Sequence, residues 1–173
     1  ARLVEAKQTV PHFYLSGDVT LDRLEALRAE ANASAVAGAD GTPVYKLSLN
    51  DFLIKALAHA LQRVPAANAV WAEDRILRFR SADIAVAVAL DGGLITPVIR
   101  DVETKTLTAI SAEMKSLAAR ARERRLQPAD YQGGVATLSN LGMYGVREFA
   151  AIINPPQSSL LAAGAAERRP VEA

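Results

Sequence analysis

No cysteine occurs in the chain, which excludes a disulfide framework, a thiolate metal site and a cysteine nucleophile. Histidine is nearly as scarce: His12 and His59 are the only two, and neither stands at the spacing of a metal-ligand set. There is no G-x-G-x-x-G fingerprint, no Walker loop and no nucleophile elbow. No apolar run approaches the eighteen or so residues of a membrane span, and the longest clean one, Ile84 to Leu90, has the length of a strand. No signal-peptide pattern is present. Charge of one sign is lacking too. The net charge of +1 gives no global attraction to nucleic acid or membrane, so neither is expected as a partner. Arginines outnumber lysines fifteen to five, a bias that genome composition alone can produce. The missing cysteine fits a reducing compartment.

What is present is half apolar and 23% charged over 173 residues, enough for one well-buried core without metal or disulfide support. Ala-Arg-Leu-Val-Glu-Ala-Lys at the start reads as the second half of an amphipathic helix, and no closing element follows Ser159 to Ala166. The chain is therefore expected to be a piece of a longer polypeptide, incomplete at both ends. Val10 to Val19 alternates and carries aromatics, which predicts a strand. Thr20 is a plausible cap for a helix running to about Ala33, with Leu21, Leu24 and Leu27 on one face. Ser34 to Thr42 is polar and predicts a loop. Ser48-Leu49-Asn50-Asp51 has the form of a capping box with Asp in place of Glu. It opens a long helix with Phe52, Ile54, Ala56, Leu57, Ala60, Leu61 and Val64 inward, stopped by Pro65.

Strands are expected at 69–71, 76–79, 84–90 and 94–99, with Asp91-Gly92-Gly93 as a hairpin turn between the last two. Leu107, Ile110, Met114, Leu117 and Ala121 step by three and four, which predicts a third helix. Its exposed side is the basic cluster Arg120 to Arg125, read as a solvated face or a site for an acidic partner. The stretch Gly133 to Gly145, GGVATLSNLGMYG, starts as an apolar strand and breaks into a turn bearing a hydroxyl and an amide. Ala150 to Asn154, a Pro155-Pro156 break and Ser159 to Ala166 close the chain. Strands and helices mix without strict alternation, so the class is α+β with a mixed sheet, in one domain without internal repeats.

Ser139 and Asn140 close a turn, or present a hydroxyl and an amide to a ligand. Arg28, near the end of its helix, is a solvated charge or an anion contact. Ser48 is an N-cap whose neighbouring amides also suit an anion. His59 falls near the buried side of the long helix without an evident partner, and His12 lies between aromatics on a strand, in a structural setting. Physics of the sequence reaches a soluble α+β domain with a hydroxyl-bearing turn.

Several stretches in unbroken order resemble a known family: AKQTVPHFYLSGDV at 6–19, then KLSLNDFLIKALAHAL, VPAANAVW and GGLITPVIRD, and finally LQPADYQGGVATLSNLGMYGVREFAAIINPPQ. They are similar to the catalytic core of the dihydrolipoamide acyltransferase (E2) component of 2-oxo acid dehydrogenase complexes. SNLGMYG with AAIINPPQ looks most like the acetyl-transferring member, from pyruvate dehydrogenase. The resemblance implies a chloramphenicol acetyltransferase-like fold and transfer of an acyl group from a lipoyl thioester to coenzyme A. It implies that Ser139 donates to the tetrahedral oxyanion, and that Arg28, Ser48 and Asn140 contact coenzyme A. Gly164 and Ala166 would line the channel through their backbone. No metal is implied.

It further implies a homotrimer with each site at a subunit boundary, assembled into a larger hollow core. A lipoyl domain and the E1 and E3 components are the implied partners. The lipoyl and peripheral-subunit-binding domains are expected outside residues 1–173, which form the acyltransferase core. The compartment implied is the cytoplasm in a bacterium or the mitochondrial matrix in a eukaryote. One departure stands out. The family's general base lies in a late His-Arg-x-x-Asp-Gly motif, and neither His12 nor His59 has that context. The chain as given is therefore expected to be inactive alone. Three readings remain open: an acetyltransferase core whose C-terminal segment is not in this sequence, a non-catalytic E2-like scaffold, and a related coenzyme-A-dependent acyltransferase acting on a small acceptor.

Overall fold

A computed structural model describes residues 2–170. Ala1 and residues 171–173, at which the expected unfinished ends fall, lie outside the described residues. Helix α1 spans Arg2–Thr9, in line with the half-helix expected there. Residues 10–19, expected as a strand, form no backbone ladder among the described residues. Alternation identifies two faces, yet a strand exists only where a neighbour takes its N–H and C=O groups. Phe13 at 82% and Tyr14 at 50% exposure show that neither face is covered.

His12 instead ties this arm down through its ring. Nε2 accepts the Ile153 N–H at 3.0 Å, which leaves Nδ1 as the protonated nitrogen, donating to Val10 O at 2.7 Å. Its expected structural setting holds, on an unpaired segment rather than a strand.

Helix α2 (Asp22–Ala33) starts two residues after Thr20, with Leu21 at the cap position and no side-chain cap bond. Its leucine face is not buried; what fixes the helix is polar. Asn32 donates to Leu47 O at 2.9 Å and accepts the Leu47 N–H at 2.7 Å, while the Tyr45 hydroxyl donates to Ala31 O at 3.0 Å. Helix α3 (Leu49–Arg63) opens on the expected capping box: Asp51 N donates to Ser48 Oγ, and Ser48 N donates to the Asp51 carboxylate at 2.7 Å. Its buried stripe is Phe52, Ile54, Ala58 and Leu61. Ala56, Ala60 and Val64, expected inward, are exposed, and so is His59, since the true stripe steps by two, four and three from Phe52.

Strands β1 (Ala69–Ala72) and β2 (Arg75–Arg78) form an antiparallel hairpin. The apolar run 84–90 divides at Ala87 into β3 (Ile84–Val86) and β4 (Val88–Leu90), and the run 94–99 divides at Pro97 into β5 (Gly93–Ile95) and β6 (Val98–Ile99). Pro97 has no N–H for the β3–β6 ladder, which ends where Val86 N donates to Pro97 O at 2.9 Å, while Ala87 N, donating to Leu138 O at 2.8 Å, closes the β3–β7 ladder. β4 and β5 therefore pair only with each other, around a turn where Gly92 takes a φ of 81°.

The basic face of α4 (Leu107–Arg122) is partly spent inside the chain. Arg120 grips Asp130 with two bonds of 2.7 and 3.2 Å, at the short helix α5 (Pro128–Tyr131). The Gln127 N–H holds the Asp130 carboxyl below its ordinary value against the opposing effect of desolvation, and Arg120 adds to the lowering.

Strand β7 (Ala136–Asn140) enters between β3 and a last strand, β8 (Ser159–Ala163). The central sheet has the order β6-β3-β7-β8, with β3, β7 and β8 parallel and β6 antiparallel. It is mixed, as expected. Residues 150–154 carry no strand. The core, including Ile54, Leu61, Ile84, Ile99, Ile110, Leu117 and Leu138, lies between this sheet and helices α3 and α4. No helix among the described residues is long and apolar enough to cross a membrane.

Lys55 links α3 to the 3-10 turn at Val102–Thr104. Its ammonium donates to Val102 O, Glu103 O and Lys105 O at 3.2, 2.9 and 2.7 Å. Lys55→Met keeps the stem and removes all three bonds. It should cost about 1–3 kcal/mol, read as a lowered urea midpoint with unchanged slope.

Candidate active site

β7 is the one element from which the site can be built. It is a central strand, paired on both sides, so its backbone is fixed by two ladders. Its first three residues are buried and its last two, Ser139 and Asn140, are half-buried where the strand leaves the sheet. Side chains alternate along it, so Ala136, Leu138 and Asn140 share one face, and Thr137 and Ser139 the other. Ser139 lies opposite Ala162 of β8. Among the described residues the Ser139 hydroxyl has no hydrogen-bond partner. The plain turn reading required this oxygen to bond backbone nearby. It does not.

Asn140 does close the turn. Its Oδ1 accepts the Gly142 N–H at 2.8 Å, an Asx turn, and its Nδ2 donates to Asn50 Oδ1 at 2.7 Å. Asn50 stands in the first turn of α3, so this bond pins the end of β7 to the start of that helix. One Asn140 N–H and one lone pair are left over for another partner. Ser48 is brought alongside through the same helix start. Its hydroxyl is engaged: it donates to Asp51 Oδ2 at 2.9 Å.

The chain after β8 comes back onto this corner. Leu141 N donates to Ala163 O at 3.1 Å, and Ala165 N to Val146 O at 2.8 Å. Gly164 is squeezed between the two passes, and a Cβ on it would lie 1.8 Å from Arg147 O. Ala166 follows two residues later, with an exposed side chain. Arg28 stands five residues before the end of α2, which closes at Ala33 as expected, and its guanidinium pairs with Glu25, with Nε at 3.1 Å. It connects to the corner through Asn32, one turn further along, and the Asn32 bonds to Leu47. Ser139, Asn140, Ser48 and Gly164 thus form one corner, while Arg28 belongs to its margin.

Sequence reasoning missed Asn50, Asn32 and Gly142, which hold the corner in place. Asn50 sits between two recognised capping residues, and only its exposure to β7 reveals its purpose. Neither histidine offers a base at this corner as placed. Both ring nitrogens of His12 are taken by backbone, and His59 is exposed on α3. Among the described residues no group of acidic side chains and histidines could hold a metal ion.

With this geometry in view, comparisons with known proteins converge. The family described as 2-oxoacid dehydrogenases acyltransferase (catalytic domain) matches residues 1–173. The dihydrolipoyllysine-residue acetyltransferase component of the pyruvate dehydrogenase complex of Rhizobium meliloti is 56% identical over 98% of this chain, and that of Zymomonas mobilis is 52% identical over 98%. The chain spans only 38% and 37% of the length of those relatives. Among solved structures, the cubic core of the pyruvate dehydrogenase multienzyme complex superposes with a TM-score of 0.88 at 30% identity, over 99% of this chain and 69% of that one. The dihydrolipoamide acetyltransferase of Azotobacter vinelandii gives the same score, identity and coverage, in a study of the role of a serine, a histidine and an asparagine in its catalytic mechanism. The expected α+β fold is that of these acyltransferase cores.

Gly164→Ala should force Arg147 and its neighbours off the corner. A backbone shift of this kind costs roughly 1–3 kcal/mol. In a chain of this size the expected drop in Tm is several degrees, measured by circular dichroism.

Proposed function

The chain belongs to the 2-oxoacid dehydrogenase acyltransferase family, and on that premise we propose that it transfers an acetyl group from a dihydrolipoamide thioester to the thiol of coenzyme A. In the same reading it forms the structural core of a pyruvate dehydrogenase complex. The observation that carries the proposal is the Ser139 hydroxyl, held by the β8 ladder one residue past the strand's pairing with β3 and left without a partner of its own among the described residues.

In this reading a base removes the proton from the coenzyme A thiol, and the sulfur attacks the thioester carbonyl. The carbonyl electron pair moves onto oxygen, and Ser139 donates a hydrogen bond to that oxyanion. Collapse re-forms the carbonyl, breaks the bond to the lipoyl sulfur and returns the proton to it. A rigid donor contributes because it is already in place when charge develops, which water would have to reorganise to achieve. The base is supplied by the family's late His-Arg-x-x-Asp-Gly motif rather than by His12 or His59. Coenzyme A is bound from the α2 and α3 side by Arg28, Ser48 and Asn140, with the backbone at Gly164 and Ala166 lining its path.

The reading extends to the assembly. A homotrimer places each site at a subunit boundary, trimers build the larger core, and the lipoyl domain delivers the acetyl group made by E1 before E3 reoxidises the arm. A bacterial protein would do this in the cytoplasm and a eukaryotic one in the mitochondrial matrix.

Ser139→Ala in the full-length protein should lower kcat by roughly 10²–10³-fold with KM values little changed, because the lost bond exists mainly in the transition state. A stable variant with normal kcat would return Ser139 to a structural role. A full-length protein with no turnover at all would favour the scaffold. Arg28→Ala should raise the KM for coenzyme A several-fold and leave that for dihydrolipoamide unchanged in the same steady-state assay. Equal effects on both would remove Arg28 from the coenzyme site.

A further inference from the structure

We propose that Gln157 is a positioning residue for Ser139, acting through the hydroxyl of Thr137; the inference rests on the catalytic reading of Ser139. Thr137 and Ser139 are two residues apart on the same face of β7, about 7 Å along the strand. Thr137 is 1% exposed and Gln157 4%, so both polar groups are cut off from water and must find partners within the fold. They find each other: the Thr137 hydroxyl donates to Gln157 Oε1. The other end of the same amide donates from Nε2 to Gly133 O at 3.1 Å. One side chain therefore grips the chain at two points, ahead of β7 and two residues before the serine.

Room for this grip is built in. Gly134 has a φ of 82°, and a Cβ there would stand 3.0 Å from Gln157 Nε2. Gln157 is itself anchored, its N–H to Asn154 O at 3.1 Å and its backbone bridged to Val70 of β1. Ser158 adds a bond from its hydroxyl to Ala69 O at 2.7 Å.

Register is what the grip controls. β7 pairs Thr137 with Leu160 and Ser139 with Ala162. A slip of one residue would turn every side chain of the strand to the opposite face. Ser139 would then point into the core, and Leu138 would meet the Gln157 amide. Hydrophobic burial of Ala136 and Leu138 opposes the slip from one face. On the other face, the Thr137–Gln157 bond is the interaction that recognises a polar residue at 137 and no other register. One Gln157 contact falls on the strand that carries the serine and the other on the segment leading into it, which distinguishes it from a buried glutamine that merely fills space.

The test compares Thr137→Val, Gln157→Met, the double variant and Thr137→Ser in the full-length protein, with Ser139→Ala alongside. Thr137→Val and Gln157→Met should each lower kcat by roughly 10- to 100-fold, the scale of an ångström of misplacement, with both KM values changed less than about twofold. The double variant should be no slower than either single one, since both remove the same bond. Thr137→Ser, which keeps the hydroxyl, should recover most of the rate. The valine and methionine together form an apolar pair, so the double variant should regain melting temperature without regaining kcat. A kcat that rises and falls with melting temperature, losses that multiply in the double variant, or normal kcat in Thr137→Val would overturn the proposal. If Gln157→Met fails to fold, the Thr137 pair decides alone. Ser139→Ala with normal kcat would sink the catalytic reading and this inference together. Ser139→Ala with collapsed kcat beside an unaffected Thr137→Val would sink only the inference.

Discussion

Parallel pairing of β7 between β3 and β8 is the constraint on which the remainder of this fold hangs. Parallel strands need long connections, so the three strands arrive from residues 84, 136 and 159, with α4 and α5 crossing between the first two. That crossover buries Ile110 and Leu117 against one face of the sheet, where α3 brings Ile54 and Leu61. The core therefore cannot form before pieces far apart in sequence meet. Once it has, the last residues of β7 have no freedom left except at the side chain. A hydroxyl placed there is held by the β8 ladder, directly after a residue paired on both sides, rather than by a loop.

Local signals were legible in the sequence, and long-range ones were not. The Ser48–Asp51 capping box and the Pro65 stop delimit α3 because each works within one turn of helix. The Asp91–Gly93 turn was readable for the same reason. The alternation of residues 10–19 was also real, but pairing is a property of two segments, and one segment cannot announce its neighbour. The run 84–90 failed differently. Seven apolar residues look like one strand, and only Pro97 across the ladder, which has no N–H to give, shows why it breaks at Ala87.

The corner follows the same division. Ser139 could be picked out because a hydroxyl and an amide interrupt an apolar strand before two glycines. The residues that hold it could not, since Asn50 and Asn140 are ninety positions apart and meet only across the sheet. Arg28 enters through resemblance alone, and the fold sets it mid-helix beside Glu25. Its charge is half-exposed there and already partly answered, so it would serve an incoming anion only by exchanging the Glu25 carboxylate for it. Such an exchange is inexpensive at a surface, where ion pairs contribute little net stability.

Ser48 poses a sharper question, because a helix start is a natural place for phosphate. The partial positive charge at the first turn of α3 attracts an anion, and the cap residue points its hydroxyl at it. In this chain an anion is already there. The Asp51 carboxylate accepts from Ser48 N and from Ser48 Oγ and is 3% exposed. A phosphate approaching the same amides would meet that negative charge at short range. The helix start is thus engaged in holding the backbone of residues 48–51, and through Asn50 the end of β7. On the proposed reading, the second Asn140 N–H and the Arg28 guanidinium have capacity left for coenzyme A, and Ser48 reaches it only by exchanging its hydroxyl bond to Asp51.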